Sequence, residues 1–207
     1  MSSHKSLAGL RVLITRPERQ LEPITDTLRK LDGMVFHFSL IEIEKIKSAP
    51  HIAVIKQKVE RLQNYDKLIF VSSNAAKYGA AWIKRHWSKV PSECEIIGIG
   101  PSTAKIASDL LGCKVIFPEL GSSSEDLVSL PSLLDVAHKN IAIFRGTGGR
   151  EFLASRLIES GAEVDYLEVY SRSATGQSSR QLLKTITEDR INAVSYTHLT
   201  LPTIYSV

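Results

Sequence analysis

The stretch NIAIFRGTGGREFLASRLIESGAEVDYLEVYSR, Asn140 to Arg172, decides the fold. Ile141, Ala142, Ile143 and Phe144 form a continuous apolar run, the signature of a strand buried on both faces. Arg145-Gly146-Thr147-Gly148-Gly149 is expected to end that strand, because glycine costs backbone entropy and frees φ. Leu153, Leu157 and Ile158 then recur at helical spacing, and Gly161 stands where helices commonly stop. Val164, Tyr166, Leu167 and Val169 make a second extended segment, expected to end on Tyr170. The reading is strand, glycine turn, helix, strand.

Outward from this unit the same alternation repeats. Toward the N-terminus, Leu10 to Thr15 is an apolar strand broken by Arg16-Pro17. Leu21, Ile24, Leu28 and Leu31 mark one helical face up to Gly33, and Met34 to Ser39 is the next strand. Leu40 to Ile46 alternates apolar and charged residues, as an extended connector with one wet face would. Helix signals run from Ile52 to Leu62. Lys67 to Val71 is a strand, Ser72-Ser73-Asn74 a turn, and a helix carrying Ala75, Tyr78, Trp82 and Ile83 follows. Glu95 to Ile99 is a strand, then Gly100-Pro101-Ser102-Thr103 opens a helix through Leu111. Val115 to Phe117 is expected as a short strand before Gly121-Ser122-Ser123-Ser124. Glu125 and Asp126 sit in the first turn after it, where acids suit the helix dipole. Alternation of this kind makes the fold class α/β, with parallel strands covered by helices. Val164 to Arg172 is expected to lie beside Leu40 to Ile46, so that the chain leaves one domain, builds a second and returns.

Bulk properties exclude several classes. The chain has 207 residues and a net charge of +4, with basic residues dispersed rather than clustered. That favours an anionic partner and argues against nucleic acid. No apolar run approaches the roughly 20 residues of a membrane span, and the N-terminal MSSHKSLAGL lacks a signal-peptide core. Cys94 and Cys113 form no Cys-x-x-Cys and read as two reduced thiols. The six histidines show no metal-ligand spacing. The cytoplasm is the default compartment.

In open α/β sheets ligands bind beyond the carboxyl ends of the strands. Four turns fall there: Ser72-Ser73-Asn74, Gly100 to Thr103, Gly121 to Ser124, and Arg145 to Gly149. Free N–H groups, hydroxyls and helix starts suit carboxylates or phosphates; equally, these residues cap helices. Gly98-Ile99-Gly100 lacks the further glycine and acid of a dinucleotide loop. No carboxylate pair stands at a strand end. Tyr170 is the one plausible proton donor, since a phenol stays protonated at neutral pH; the alternative is a tyrosine packed under the connector. Arg16 and Arg145 each follow a strand, and either grips a carboxylate bidentately or lies in solvent.

Taken in order, VLITRP (Val12 to Pro17), LIEI (Leu40 to Ile43), IFVSSNA (Ile69 to Ala75), IGIGPSTA (Ile97 to Ala104), SSSEDL (Ser122 to Leu127) and the opening stretch resemble the uroporphyrinogen-III synthase family, in its bacterial form. The resemblance implies two flavodoxin-like parallel-sheet lobes joined by a two-stranded ladder. Lobe 1 would be discontinuous and incomplete, residues 1–40 plus 173–207; the ladder 41–47 and 164–172; lobe 2 residues 48–163. It implies a monomer acting on hydroxymethylbilane, a linear tetrapyrrole rich in carboxylates, with no cofactor or metal. The product is uroporphyrinogen III, made with loss of water and inversion of the last ring. Because the bilane also cyclises unaided without inversion, the enzyme's task is positioning, which supplies about 7–11 kcal/mol in good cases. Tyr170 matches the family tyrosine that assists hydroxyl departure, and Thr103 a family threonine. Asn74 stands where some members have arginine. The expected substrate contacts are Arg16, Ser72, Ser73, Asn74, Gly100, Ser102, Thr103, Ser123, Ser124, Arg145 and Gly146.

Two other functions fit the residues: a non-catalytic two-lobed binder of an acidic small molecule, and a flavodoxin-like or receiver-like module. The last needs an acidic cluster or flavin-phosphate loop after the first strand, and Arg16-Pro17 supplies neither. The final SYTHLTLPTIYSV departs from the family and resembles a translated sequencing adaptor. The expectation is that it replaces a natural C-terminal portion, which would leave lobe 1 with exposed sheet edges and apolar helix faces; the alternative is a genuine terminal strand.

Overall fold

The computed structural model describes residues 6–17 and 22–196. The tail reading from Thr197 onward, with Leu199, Leu201 and Ile204, lies outside the described residues, as does the reading of Leu21. The chain divides into two compact units. One comprises residues up to Ile43 with those from Arg172 onward; the other is Glu44–Ser171.

The first unit is built on β1 (Arg11–Ile14), α1 (Glu22–Lys30) and β2 (Met34–His37), completed by α7 (Ser179–Glu188) and β8 (Ala193–Ser195). Its sheet has the order β2-β1-β8, with β1 parallel to both neighbours. Ser178 caps α7 in a reciprocal box with Gln181, so the helix start is locally encoded. No residue of α7 is buried, and Leu183 and Val194 stand 61% and 51% exposed.

The five-stranded sheet, most of whose residues belong to the second unit, is made of β3 (Ile41–Lys45), β4 (Lys67–Phe70), β5 (Glu95–Gly98), β6 (Asn140–Gly146) and β7 (Glu163–Ala174). They lie in the order β3-β7-β6-β4-β5, and β4, β5, β6 and β7 run parallel. The helices are α2 (Ala49–Glu60), α3 (Ser73–His86), α4 (Pro101–Leu111), α5 (Ser124–Val128) and α6 (Phe152–Glu159). Both faces are covered, which explains the unbroken apolar runs. Ile69, Ile97, Ile141 and Ile143 meet Leu127, Leu153 and Leu157 in one core. On the other face Phe70 and Phe144 stack, with ring centroids 4.7 Å apart.

Four expectations change. Arg145 and Gly146 do not end β6; they continue it, because a register shift between them lets Gly146 pair with Tyr170. β7 runs past Tyr170 to Ala174, since it is paired on both sides: with β6 and with β3. It is therefore a strand of the five-stranded sheet as well as a partner of β3. Val115 to Phe117 forms only an isolated bridge, Ile97 to Ile116; Pro118 has no N–H with which to extend it. Finally, Ser73, Asn74, Ser102 and Thr103 are first-turn helical residues. Ser72 and Gly100 take the cap positions, and Pro101 at the first helical place presets φ.

The cysteines differ in environment. Cys94 is buried and its thiol is pushed up to about 12, first by burial and then by the nearby Asp66 carboxylate. Cys113 is more open, and burial raises its pKa too. At pH 8, iodoacetamide should modify Cys113 well before Cys94, which should react only on unfolding; equal labelling of the native chain would contradict this. Because the Cys94 pKa is raised on folding above its ordinary 9.0, its contribution to stability is complete below about pH 9 and is lost as pH rises toward about 12.

Candidate active site at the strand ends of the five-stranded sheet

The four turns meet in a ring at the carboxyl edge of the second unit. Ser72 Oγ lies 3.1 Å from the Tyr170 hydroxyl, joining the first turn to β7. Ser73 Oγ and Ser102 Oγ are 3.5 Å apart, joining the first and second turns. A Cβ on Gly100 would stand 2.2 Å from Ser122 Oγ, so the second and third turns touch there. Arg150 Nη2 meets Glu125 Oε1 at 2.7 Å, closing the third turn on the fourth.

Tyr170 is fully buried. Its ring lies against Gly146, where a Cβ would come within 2.6 Å of Cε2 and 2.7 Å of Cζ; only glycine fits. The other ring neighbour is Tyr78, stacked with centroids 5.8 Å apart. Thr147 N–H donates to the Tyr170 carbonyl at 2.9 Å, a bond the register shift makes possible. Ser72 Oγ also accepts from Ala75 N–H at 3.0 Å, capping α3.

Arg145 departs from the expectation of a substrate clamp or a solvated side chain. It is only 4% exposed, and its guanidinium is spent on its own loop. Nε donates to the Gly146 carbonyl at 3.3 Å, Nη2 to the Gly149 carbonyl, and Nη1 to Glu151 Oε1 at 3.0 Å. Glu168 Oε1 lies 3.8 Å from Nε, and the Tyr166 ring 4.3 Å from Cζ. A Cβ on Gly149 would sit 2.9 Å from Nη2, so that glycine lets the loop close over the flat guanidinium. The physical reason is charge: a desolvated cation needs nearby anions and carbonyls, and Glu151 and Glu168 supply them. The Glu151 carboxyl is held below its ordinary range, first by the Tyr166 hydroxyl and then by Arg145. Burial, aided by Glu151, raises Tyr166 to about 12.

Ser123 is bonded within its own turn. Its N–H and hydroxyl both donate to Asp126 Oδ2, at 2.8 and 2.6 Å, while Asp126 N–H donates back to Ser123 Oγ. This turn already holds a carboxylate of its own chain, and the Ser123 bonds lower the Asp126 pKa. Ser124 is the first residue of the short α5. Thr103 is 4% exposed, within the first turn of α4. Ser72, Ser73 and Asn74 are half-buried and Ser102 is exposed. Arg16 belongs to the first unit, where its carbonyl faces His37 Nε2 at 2.8 Å and its Nε is buried without a hydrogen-bond partner. Sequence reasoning passes over Glu151, Tyr166 and Glu168, the residues that surround Arg145. Among the described residues no group of His, Cys, Asp and Glu could hold a metal, and no helix is long and apolar enough to cross a membrane.

A model of the family Uroporphyrinogen-III synthase HemD matches residues 22–197. The chain belongs to the uroporphyrinogen-III synthase family. It is 36% identical over 161 residues to the uroporphyrinogen-III synthase of Proteus mirabilis, covering 78% of this chain and 79% of that one. To that of Escherichia coli it is 32% identical over 163 residues, covering 79% of this chain and 65% of the relative. A crystal structure of a mutant uroporphyrinogen III synthase from Thermus thermophilus shares the fold, with a TM-score of 0.65 at 16% identity, over 89% of this chain and 71% of that one. Uroporphyrinogen-III synthase is a cyclising lyase of haem biosynthesis that works without a cofactor and converts hydroxymethylbilane to uroporphyrinogen III. The binding-protein and flavodoxin-like alternatives gain no support from these relatives.

Proposed function

We propose that this chain closes hydroxymethylbilane to uroporphyrinogen III, and that the ring of turns at the carboxyl edge of the five-stranded sheet receives the substrate. The observation that carries this reading is the junction of Ser72, Tyr170 and Gly146. Three elements distant in sequence are fitted there to a single phenol. The hydroxyls of Ser73 and Ser102 lie alongside, on the first turns of α3 and α4, and are the donors best placed for acetate and propionate groups. Gly100 gives the Ser122 side chain room at the second turn. Arg145 contributes indirectly, by holding the loop that follows Gly146, and Ser123 by capping α5.

The work of such a site is selection of a conformer. The last pyrrole must attack through its substituted carbon, giving a spiro intermediate, before the unassisted closure occurs. Fixed donors at several carboxylates achieve this by restraining the chain, with Tyr170 assisting departure of the hydroxyl. The chain would act as a monomer in the cytoplasm, in keeping with its two free cysteines.

The test is to supply freshly prepared hydroxymethylbilane and to resolve the porphyrin isomers after oxidation. Type III product formed faster than the spontaneous reaction is expected, and Tyr170→Phe should lower kcat by about 100-fold. Type I isomer alone, at the spontaneous rate, would remove the reading. An undiminished rate in Tyr170→Phe would remove only the role of the phenol.

A further inference from the structure

The Tyr170 hydroxyl cannot itself meet a substrate in this arrangement. Its side chain has no exposed surface, and Gly146, Tyr78 and Ser72 are among the groups it lies against. Ser72 is different: it is half-buried, at the rim, and its Oγ is 3.1 Å from the phenol. A serine hydroxyl has two acceptor sites and one proton to give. Ala75 N–H fills one acceptor site at 3.0 Å. When Tyr170 donates to the other, both acceptor sites of Ser72 are filled and its own proton is taken by neither Tyr170 nor Ala75.

We propose that Ser72 is the catalytic residue that hands a proton to the departing hydroxyl, and that Tyr170 acts through it as the enclosed proton reserve. This rests on the cyclase reading above and assigns its proton path. The C–O bond of the terminal hydroxymethyl group breaks, with its electron pair going to oxygen. The lone pair of the adjacent pyrrole nitrogen moves toward the carbon, leaving an azafulvenium cation. The oxygen takes the Ser72 proton and departs as water, and Ser72 takes the proton of Tyr170. The phenolate and the cation balance in charge. When the cyclised macrocycle regains aromatic pyrroles it sheds one proton, which returns through Ser72 to Tyr170. The sum is bilane to uroporphyrinogen III plus water.

The arrangement separates this role from helix capping. Ser72→Asn keeps a capping side chain but has no hydroxyl proton to relay; Ser72→Thr keeps both. The expected result is a kcat lowered about 100-fold in Ser72→Asn with KM changed less than about threefold, and near-normal kcat in Ser72→Thr. The melting temperature should be preserved in both. Tyr170→Phe should show a similar loss. The double variant Ser72→Asn with Tyr170→Phe should lose no more than either single change, because one path is broken once. In the unaltered chain, rates in mixtures of light and heavy water should curve with isotope fraction, as two protons move together.

A raised KM at unchanged kcat in Ser72→Asn would make Ser72 a substrate contact only, and would overturn the relay. Losses that multiply in the double variant would overturn it also. In either case type III product from the unaltered chain would leave the cyclase reading standing. Type I product alone from the unaltered chain would remove both.

Discussion

Phe144→Ala is expected to destabilise the second unit by about 3–5 kcal/mol, the cost usual for deleting a buried aromatic ring. Phe144 has no exposed surface, and it stacks on Phe70 with centroids 4.7 Å apart. Both rings press on Gly79 of α3, where a Cβ would lie 2.6 Å from Phe144 and 2.8 Å from Phe70. Helix and sheet approach so closely that little can collapse into the space a lost ring leaves. Against a typical total of about 5–15 kcal/mol, the change removes a large part of stability. Guanidinium denaturation followed by circular dichroism reads it as a lower midpoint at similar slope. Leu120→Ala is the control: Leu120 is 86% exposed and its truncation should shift the midpoint little. A loss below about 1 kcal/mol for Phe144→Ala would mean that the two stacked rings do not anchor α3.

Gly146→Val should have the largest effect on activity of any change outside the reacting groups. Its Cβ would stand 2.6 Å from Tyr170 Cε2, far inside contact distance, and the strand on which it sits is held by its pairing with β7. The ring must give way, and the hydroxyl then leaves Ser72. We expect kcat to fall by about two orders of magnitude, as for loss of a proton donor, with the product drifting toward the type I isomer. The accompanying destabilisation is about 1–3 kcal/mol, the usual cost of overpacking. Gly146→Ala should give a smaller loss of the same kind. In a Tyr170→Leu background, the added methyl of Gly146→Ala should cost much less stability, because the ring it strikes is gone. Equal costs in both backgrounds would show that the strain lies in the backbone of β6 and not against the phenol. Chromatographic isomer ratios and thermal melts check the two halves separately.

Residues that look alike as text show how far the sequence can be read. Arg16 and Arg145 are each a basic residue after an apolar strand. Only the folded chain separates them. Arg145 is surrounded by Glu151, Glu168 and the carbonyls of its own loop; the two acids arrive from the start of α6 and from β7, so neither spacing nor composition announces them. Ser72 and Ser123 are equally good candidates for a substrate anion by residue type. Asp126, three positions after Ser123, completes a capping box, a pattern that is legible and argues for the bland role. Ser72 has no acid at that position and is left for Tyr170. The bridge at Ile116 reads as a strand because three apolar residues satisfy the pattern, while Pro118 removes the next donor.

What the sequence alone determined is local in origin. Apolar periodicity, Ser72 and Ser178 before helices, and Pro101 at a helix start act over about four residues, and they set the alternation of strands and helices. The ordered motifs from Val12 to Arg172 pointed to the family as well. Tertiary structure decided which turn touches which. The register shift between β6 and β7 brings Gly146 opposite Tyr170, and parallel pairing of β4 with β6 brings Ser72 to the same place. Register depends on how whole strands settle against two packed faces, a sum over distant contacts that no short window of sequence contains.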